Sequence, residues 1–216
     1  MTTTDTTGQP QIPPQMHSQM QPQTQPRRHP HSTGLDKDAA NFVALSPLSC
    51  IERWAAVYPD RTALVYGARR QSWLDRYQRC RRLASALTQR EVGVGVGVGV
   101  GVGDTVAVML PHVPAMFEAH FGVPMCGAVL NTRHTQLDAE AIAFKLQHGG
   151  AKVLLTDREF AGVVKKALSL LREQRLLVVE VDDDRASAGV AHGDLRCETL
   201  LAEGAPQYAR QLLADG

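Results

Sequence analysis

Between Leu45 and about Val181 the apolar positions fall into alternating blocks of helical and strand period. Leu48, Ile51, Trp54, Ala55 and Tyr58 recur at helical spacing behind Ser46-Pro47, a capping hydroxyl followed by a proline for the first helical position. Pro59-Asp60 ends that helix. Thr62–Tyr66 predicts a short strand, Gly67-Ala68 a turn, and Gln71-Ser-Trp73 the returning hairpin partner. Asp75 to Arg90 predicts an amphipathic helix. Tyr77, Cys80, Leu83, Ala84 and Leu87 form its apolar face, and Arg76, Arg79, Arg82 and Arg90 lie largely outside it.

From Asp104 the periods alternate regularly. Thr105–Leu110 is a buried-type strand, and Pro114 opens a helix through Met116, Phe117, His120 and Phe121. Ala128–Leu130 is a short strand. Asp138 caps a helix carrying Ile142, Phe144 and Leu146, which Gly149-Gly150 ends. Lys152–Thr156, a helix from Glu159 to about Gln174, and Leu176–Val181 follow. Strands separated by helices of this length predict an α/β fold, a parallel-type sheet flanked by helices.

Two segments break the pattern. Residues 1–40 form a Gln/Pro-rich tail with little to bury, so disorder is expected there, with a Pro-rich partner ligand as the alternative. The ordered region is expected over 45–216. Inside it, 92–103 is a strict Val-Gly alternation of six pairs, expected as a flexible or weakly extended loop. It is neither a dinucleotide fingerprint nor a Walker loop, because its glycines precede the strand and no Gly-Lys-Ser/Thr follows.

Charge adds little, with 23 basic against 22 acidic residues, so nothing points to nucleic acid or an anionic membrane. Cys50, Cys80, Cys126 and Cys197 are far apart and read as isolated thiols of a reducing compartment. The start is acid-poor and holds Arg27-Arg28, but it lacks both an apolar signal core and an amphipathic period, so the cytoplasm is the expectation. The arginine face of the second helix reads as solvated, or as a site for a phosphate-bearing ligand. Asp182-Asp183-Asp184 reads as a polar turn, or as a cation site. His120 reads as structural, and His112 and His134 carry no assigned role.

Three stretches, Asp104–Pro111, Pro114–Gly122 and Gly127–Thr132, together resemble the acyl-CoA synthetases of the AMP-forming, acyl-activating superfamily. Leu137–Phe144 and His148–Asp157 continue the resemblance, and Tyr58–Leu64 with Ser72-Trp73 is similar to that family's opening hairpin. Medium-chain and general fatty-acid members are the expected kin. The resemblance implies ATP, magnesium and coenzyme A: a carboxylate becomes acyl-AMP, and a thiol then displaces AMP. It also implies a Ser/Thr/Gly-rich phosphate loop ending in lysine, and no such run occurs between Leu45 and Gly216. No catalytic, cofactor-binding or metal residue is therefore assigned.

The expected object is the amino-terminal subdomain of that fold, incomplete and inactive by itself, stopping near where the phosphate loop should begin. Self-association through exposed sheet surface is expected with it. The alternatives are a ligase completed in trans, a nucleotide-binding α/β module, or a protein-interaction module. Three departures from the family stand out: the expanded Val-Gly loop, the charged Arg133-His134 and Lys145, the last expected near the buried face of its helix, and the chain's stop at Gly216.

Overall fold

The computed structural model describes residues 46–90, 99–171, 176–183, 185 and 190–211. The expectations for the tail, for 92–98 of the repeat and for Asp184 lie outside the described residues.

Helix α1 (Pro47–Val57) begins as expected, with Ser46 Oγ accepting the Leu48 N–H at 3.2 Å. An antiparallel hairpin of β1 (Thr62–Tyr66) and β2 (Arg69–Ser72) follows, turning at Gly67 with φ +59°. Helix α2 (Trp73–Gln89) starts two residues earlier than the periodicity implied. Ser72 and Asp75 form a reciprocal capping box, which turns Trp73 from a strand end into the first helical residue.

The main sheet is parallel, in the order β4-β3-β5-β6-β7. Its strands are β3 (Thr105–Met109), β4 (Val129–Thr132), β5 (Ala151–Asp157), β6 (Leu177–Val181) and β7 (Leu195–Arg196). The connecting helices are α3 (Pro114–Met125), α4 (Ala139–His148), and α5 (Ala161–Leu170) behind a 3-10 turn at Arg158–Phe160. Helix α6 (Cys197–Glu203) follows β7. Neither β7 nor α6 was expected from the sequence. The helix foreseen from Glu159 becomes the 3-10 turn and α5, because Asp157 Oδ1 accepts the Glu159 N–H and tightens the first turn.

Strand alternation splits the core into two layers. Val106, Val108, Val153, Leu155 and Val179 face α1, α2, α3 and α6. Ala107, Met109 and Leu154 face α4 and α5. The chain passes from β3 outward to β4 and then returns to β5 on the other side of β3. The order of connection thus reverses between β3 and β5, the arrangement that places ligand clefts at carboxyl ends of strands.

Two expectations on α4 fail. Phe144 is 65% exposed and stacks on His148, with ring centroids 5.5 Å apart. Lys145 is exposed too, since Ile142, Ala143 and Leu146 already fill the narrow stripe that meets the sheet.

Candidate functional site

A cleft of about 420 Å³ opens at the carboxyl end of β6, between the hairpin and the starts of α3 and α6. Arg69, Arg79 and Arg196 line it opposite Glu180, Asp182, Asp183 and Glu198. Most of these groups already have protein partners. Glu180 Oε1 accepts the Arg158 Nε–H at 2.6 Å, and its Oε2 accepts the backbone N–H of His192 at 2.6 Å and of Gly193 at 3.2 Å. Burial pushes the Glu180 carboxyl up, but Arg158 and the two N–H donors outweigh it and hold the pKa at about 2.

The sign of the pH effect follows. A folded-state pKa held down from 4.5 to about 2 gives stability that is complete above pH 4.5 and is lost as pH falls through about 2. Glu180→Gln is therefore expected to destabilise at pH 7 and to match the parent near pH 2, in urea midpoints compared across that range.

Of the three aspartates, Asp182 and Asp183 are described, and both have protein partners. Asp182 pairs with Arg158 at 2.8 Å, and Asp183 accepts the Tyr66 hydroxyl, tying the hairpin to the end of β6. Asp157 ends the central strand fully buried. Its Oδ2 has no hydrogen-bond partner among the described residues. Burial raises its pKa, the Glu159 N–H lowers it, and Asp183, Glu159 and Asp182 raise it further.

The arginines of α2 are held by protein partners. Arg76 is fully buried, donating Nη1–H to Glu118 at 2.8 Å and to Gln71 at 2.7 Å, and Nη2–H to the Pro114 carbonyl at 2.8 Å. Its guanidinium lies 4.4 Å from the Phe117 ring centroid. Burial lowers its pKa, with Glu118 opposing. Arg79 bridges Glu118 on α3 and Glu198 on α6. Arg82 donates to the Gly204 carbonyl at 3.1 Å, and Arg90 pairs with Glu203. These arginines dock α2 against α3 and α6. Apart from Gln71, five residues from Arg76, their partners lie 38 or more residues away along the chain, beyond the reach of a helical pattern.

The remaining flagged residues are local. His120 is exposed, with Nδ1 2.8 Å from the Met116 carbonyl, and His134 Nδ1 accepts the Gln136 N–H in a turn. His112 is exposed. Arg133 is nearly buried and donates to the Lys145 carbonyl at 2.6 Å, capping the last turn of α4. Cys80 and Cys197 are buried, which pushes their thiols up to about 12. Sequence reasoning missed Glu118, which sits in an otherwise apolar helix. Its only signal is a lone carboxylate on that helix's inward face.

Similarity to known proteins agrees with this architecture. Residues 51–203 match the model of the AMP-binding enzyme family. This chain belongs to that family. An acetate/butyrate–CoA ligase of Arabidopsis thaliana, described as peroxisomal, is 40% identical over 192 residues, 84% of this chain and 32% of that protein. An acetate–CoA ligase of Humulus lupulus is 40% identical over 185 residues, covering 81% of this chain and 31% of the relative. The AMP-binding chain thus spans about a third of the length of these curated relatives. Among solved structures, a putative long-chain-fatty-acid CoA ligase of Rhodopseudomonas palustris superposes with a TM-score of 0.60 at 26% identity, covering 78% of this chain and 38% of that one. An anthranilate CoA ligase in complex with anthranoyl-AMP shares the fold, with a TM-score of 0.64 at 19% identity over 76% of this chain and 29% of that one.

The family implies ATP, magnesium and coenzyme A, and the described residues do not fit them. The cleft sets three guanidinium groups against four carboxylates, so it has no surplus positive charge for a polyphosphate. Glu180 and Asp182 are committed to Arg158, and Glu198 to Arg79. Among the described residues no three His, Cys, Asp or Glu side chains are grouped to hold a metal ion. Among them, too, no helix is long and apolar enough to cross a membrane.

Proposed function

We propose that this chain supplies the amino-terminal α/β module of an ATP-dependent acid–thiol ligase, which converts a carboxylic acid through acyl-AMP to acyl-CoA, and that the module does not perform that reaction alone. The observation that carries this is the family match over 51–203, combined with a span of about a third of the relatives' length. The absence of a Ser/Thr/Gly-rich run with a downstream lysine between Leu45 and Gly216 supports the second half. An aliphatic acid, short-chain to fatty, is the preferred substrate class, since acetate and butyrate are named for the relatives above. Cytoplasmic residence is part of the proposal, with the peroxisome as its alternative.

The test is acid-dependent exchange of labelled pyrophosphate into ATP by the purified chain. With acetate, butyrate or a longer fatty acid, exchange is expected at the level of the enzyme-free blank. Exchange above the blank overturns the claim that the module is inactive alone.

Completion in trans is the second reading. It is favoured by β4, which forms one edge of the sheet and leaves Val129 52% exposed. The same edge suits self-association, and light scattering is expected to show species larger than one chain. A monodisperse monomer with a sharp cooperative melt counts against both.

A further inference from the structure

The β1–β2 hairpin stands apart from the main sheet. Its strands pair with each other alone, and none of their residues is fully buried. At its base the Trp73 N–H donates to the Arg61 carbonyl at 3.0 Å and the Leu74 N–H to the Pro59 carbonyl at 3.1 Å. Trp73 is wedged edge-on against Trp54, with ring centroids 4.5 Å apart. At the far end Tyr66 packs against the core. Its hydroxyl donates to Asp183 Oδ2 at 2.5 Å, and the Arg185 guanidinium lies 5.2 Å from its ring centroid.

The ladder is broken between these two attachments. Tyr66 pairs with Arg69, Val65 with Arg70 and Leu64 with Gln71, but Thr62 pairs with Ser72, so Ala63 is an extra residue with no partner in the ladder. Such a bulge disrupts the pairing and lets the ribbon bend. Gln71, opposite the bulge, accepts Arg76 Nη1–H and fixes the base side of the bend. Beyond it, Arg70 Nη1–H donates to the Gly67 carbonyl at 2.8 Å and braces the tip as one piece. From Ala63 to Tyr66 the strand runs about 10 Å, at about 3.4 Å per residue, so a swing at the bulge carries the tip through a similar distance.

This ribbon borders the cleft at the carboxyl end of β6, which Arg69 and Gln71 line together with Asp183 and Glu198. The Arg79 hydrogen bond holds the Glu198 carboxyl down, and Arg69 on the hairpin adds to it. The hairpin therefore reaches Asp183 through Tyr66 and Glu198 through Arg69. Little apolar surface is buried beyond the bulge, and segments of that kind open at low cost.

We propose that the β1–β2 hairpin is a hinged flap over this cleft, bending at Ala63 and held shut by the Tyr66–Asp183 hydrogen bond. Leu64–Arg70 is the moving part, and α2, α3 and α6 are the frame. Access to the charged groups at the end of β6 is thereby set by one hydroxyl.

The experiment measures the distance between two spin labels, on the tip and on α6, by pulsed electron spin resonance. Ala68→Cys and Thr199→Cys carry the labels at exposed positions of the full chain, with the exposed Cys50 changed by Cys50→Ser. A second pair, Lys166→Cys on α5 with Thr199→Cys, reports on the frame. The parent is expected to give a single short distance for the first pair. Tyr66→Phe removes the hydroxyl and keeps the ring, and Asp183→Ala removes the acceptor. Each is expected to add a population about 10 Å longer in the first pair and to leave the second pair unchanged. An unchanged first pair in either variant overturns the proposal, since the base alone then fixes the hairpin. A parent that already shows the longer population overturns it as well, because the hydrogen bond then holds nothing shut. So does a change in the second pair, which means that the loss loosens the fold and not the flap.

Discussion

Glu118→Ala is expected to lower stability by about 3–5 kcal/mol, the loss that follows when one partner of a buried ion pair is removed. The Glu118 and Arg76 side chains are 1% and 0% exposed. Glu118 Oε1 accepts from Arg76 and, at 2.6 Å, from Arg79, so one carboxylate neutralises two guanidinium groups at the junction of α2 and α3. Without it Arg79 retains Glu198 at the surface, but Arg76 keeps only the neutral acceptors Gln71 and Pro114. A buried cation with neutral acceptors alone is costly, because the low local dielectric penalises unscreened charge.

Removing both charges has a different outcome. Arg76→Met with Glu118→Leu is expected to recover most of the loss, since an apolar pair of similar volume needs no compensation. Urea denaturation of the single and double variants measures this. A loss below about 1 kcal/mol for Glu118→Ala is the range of an exposed pair, and would place the network outside the core of the fold.

Gly204→Ala is expected to be the more damaging of two superficially similar glycine substitutions, at the upper end of the about 1–3 kcal/mol typical of overpacking. Gly204 has φ −84° and ψ 148°, which alanine adopts freely, but its added Cβ would stand 2.0 Å from the Arg82 carbonyl oxygen on α2. Backbone cannot yield as a side chain does, so α6 must move away from α2. That movement strains the hydrogen bonds from Arg82 to Gly204 and from Ala205 to Ser85. Gly103→Ala is the control. It carries φ +81° with nothing within 4 Å, so only left-handed strain of about 1–2 kcal/mol opposes it. Thermal melts of the two variants should rank Gly204→Ala below Gly103→Ala. The reverse order would mean that α6 is only loosely attached to α2.

Much of the architecture was legible in order and type. Ser46-Pro47, Thr62–Tyr66, Asp138 and Gly149-Gly150 act where local chemistry said they would, because capping and turn geometry involve neighbours within four residues. The strand at Thr105 and the helix opening at Pro114 were found for the same reason. Errors concentrated where a local cue competed with a stronger one. Trp73 is apolar and follows a strand, yet the Ser72–Asp75 box claims it for α2. Phe144 is apolar, but the buried stripe of α4 is already filled by Ile142, Ala143 and Leu146.

No site residue was assigned from the sequence, because neither a Ser/Thr/Gly-rich run with a downstream lysine between Leu45 and Gly216 nor close metal-ligand spacing was found along it. Arg76, Arg79 and Arg82 could not be placed, since a pattern on one helix says which side is polar and not what lies against it. The unbroken apolar run at Val106–Met109 likewise predicts two covered faces without saying which helices cover each. Sequence patterning therefore settled most of the elements up to β6, their order and the α/β class, since these depend on hydrogen bonds and side-chain periods within a few residues. Tertiary structure alone decided the strand order β4-β3-β5-β6-β7, the burial of the Arg76–Glu118 pair and the close approach of Gly204 to Arg82, because each depends on surfaces brought together from positions at least 16 residues apart.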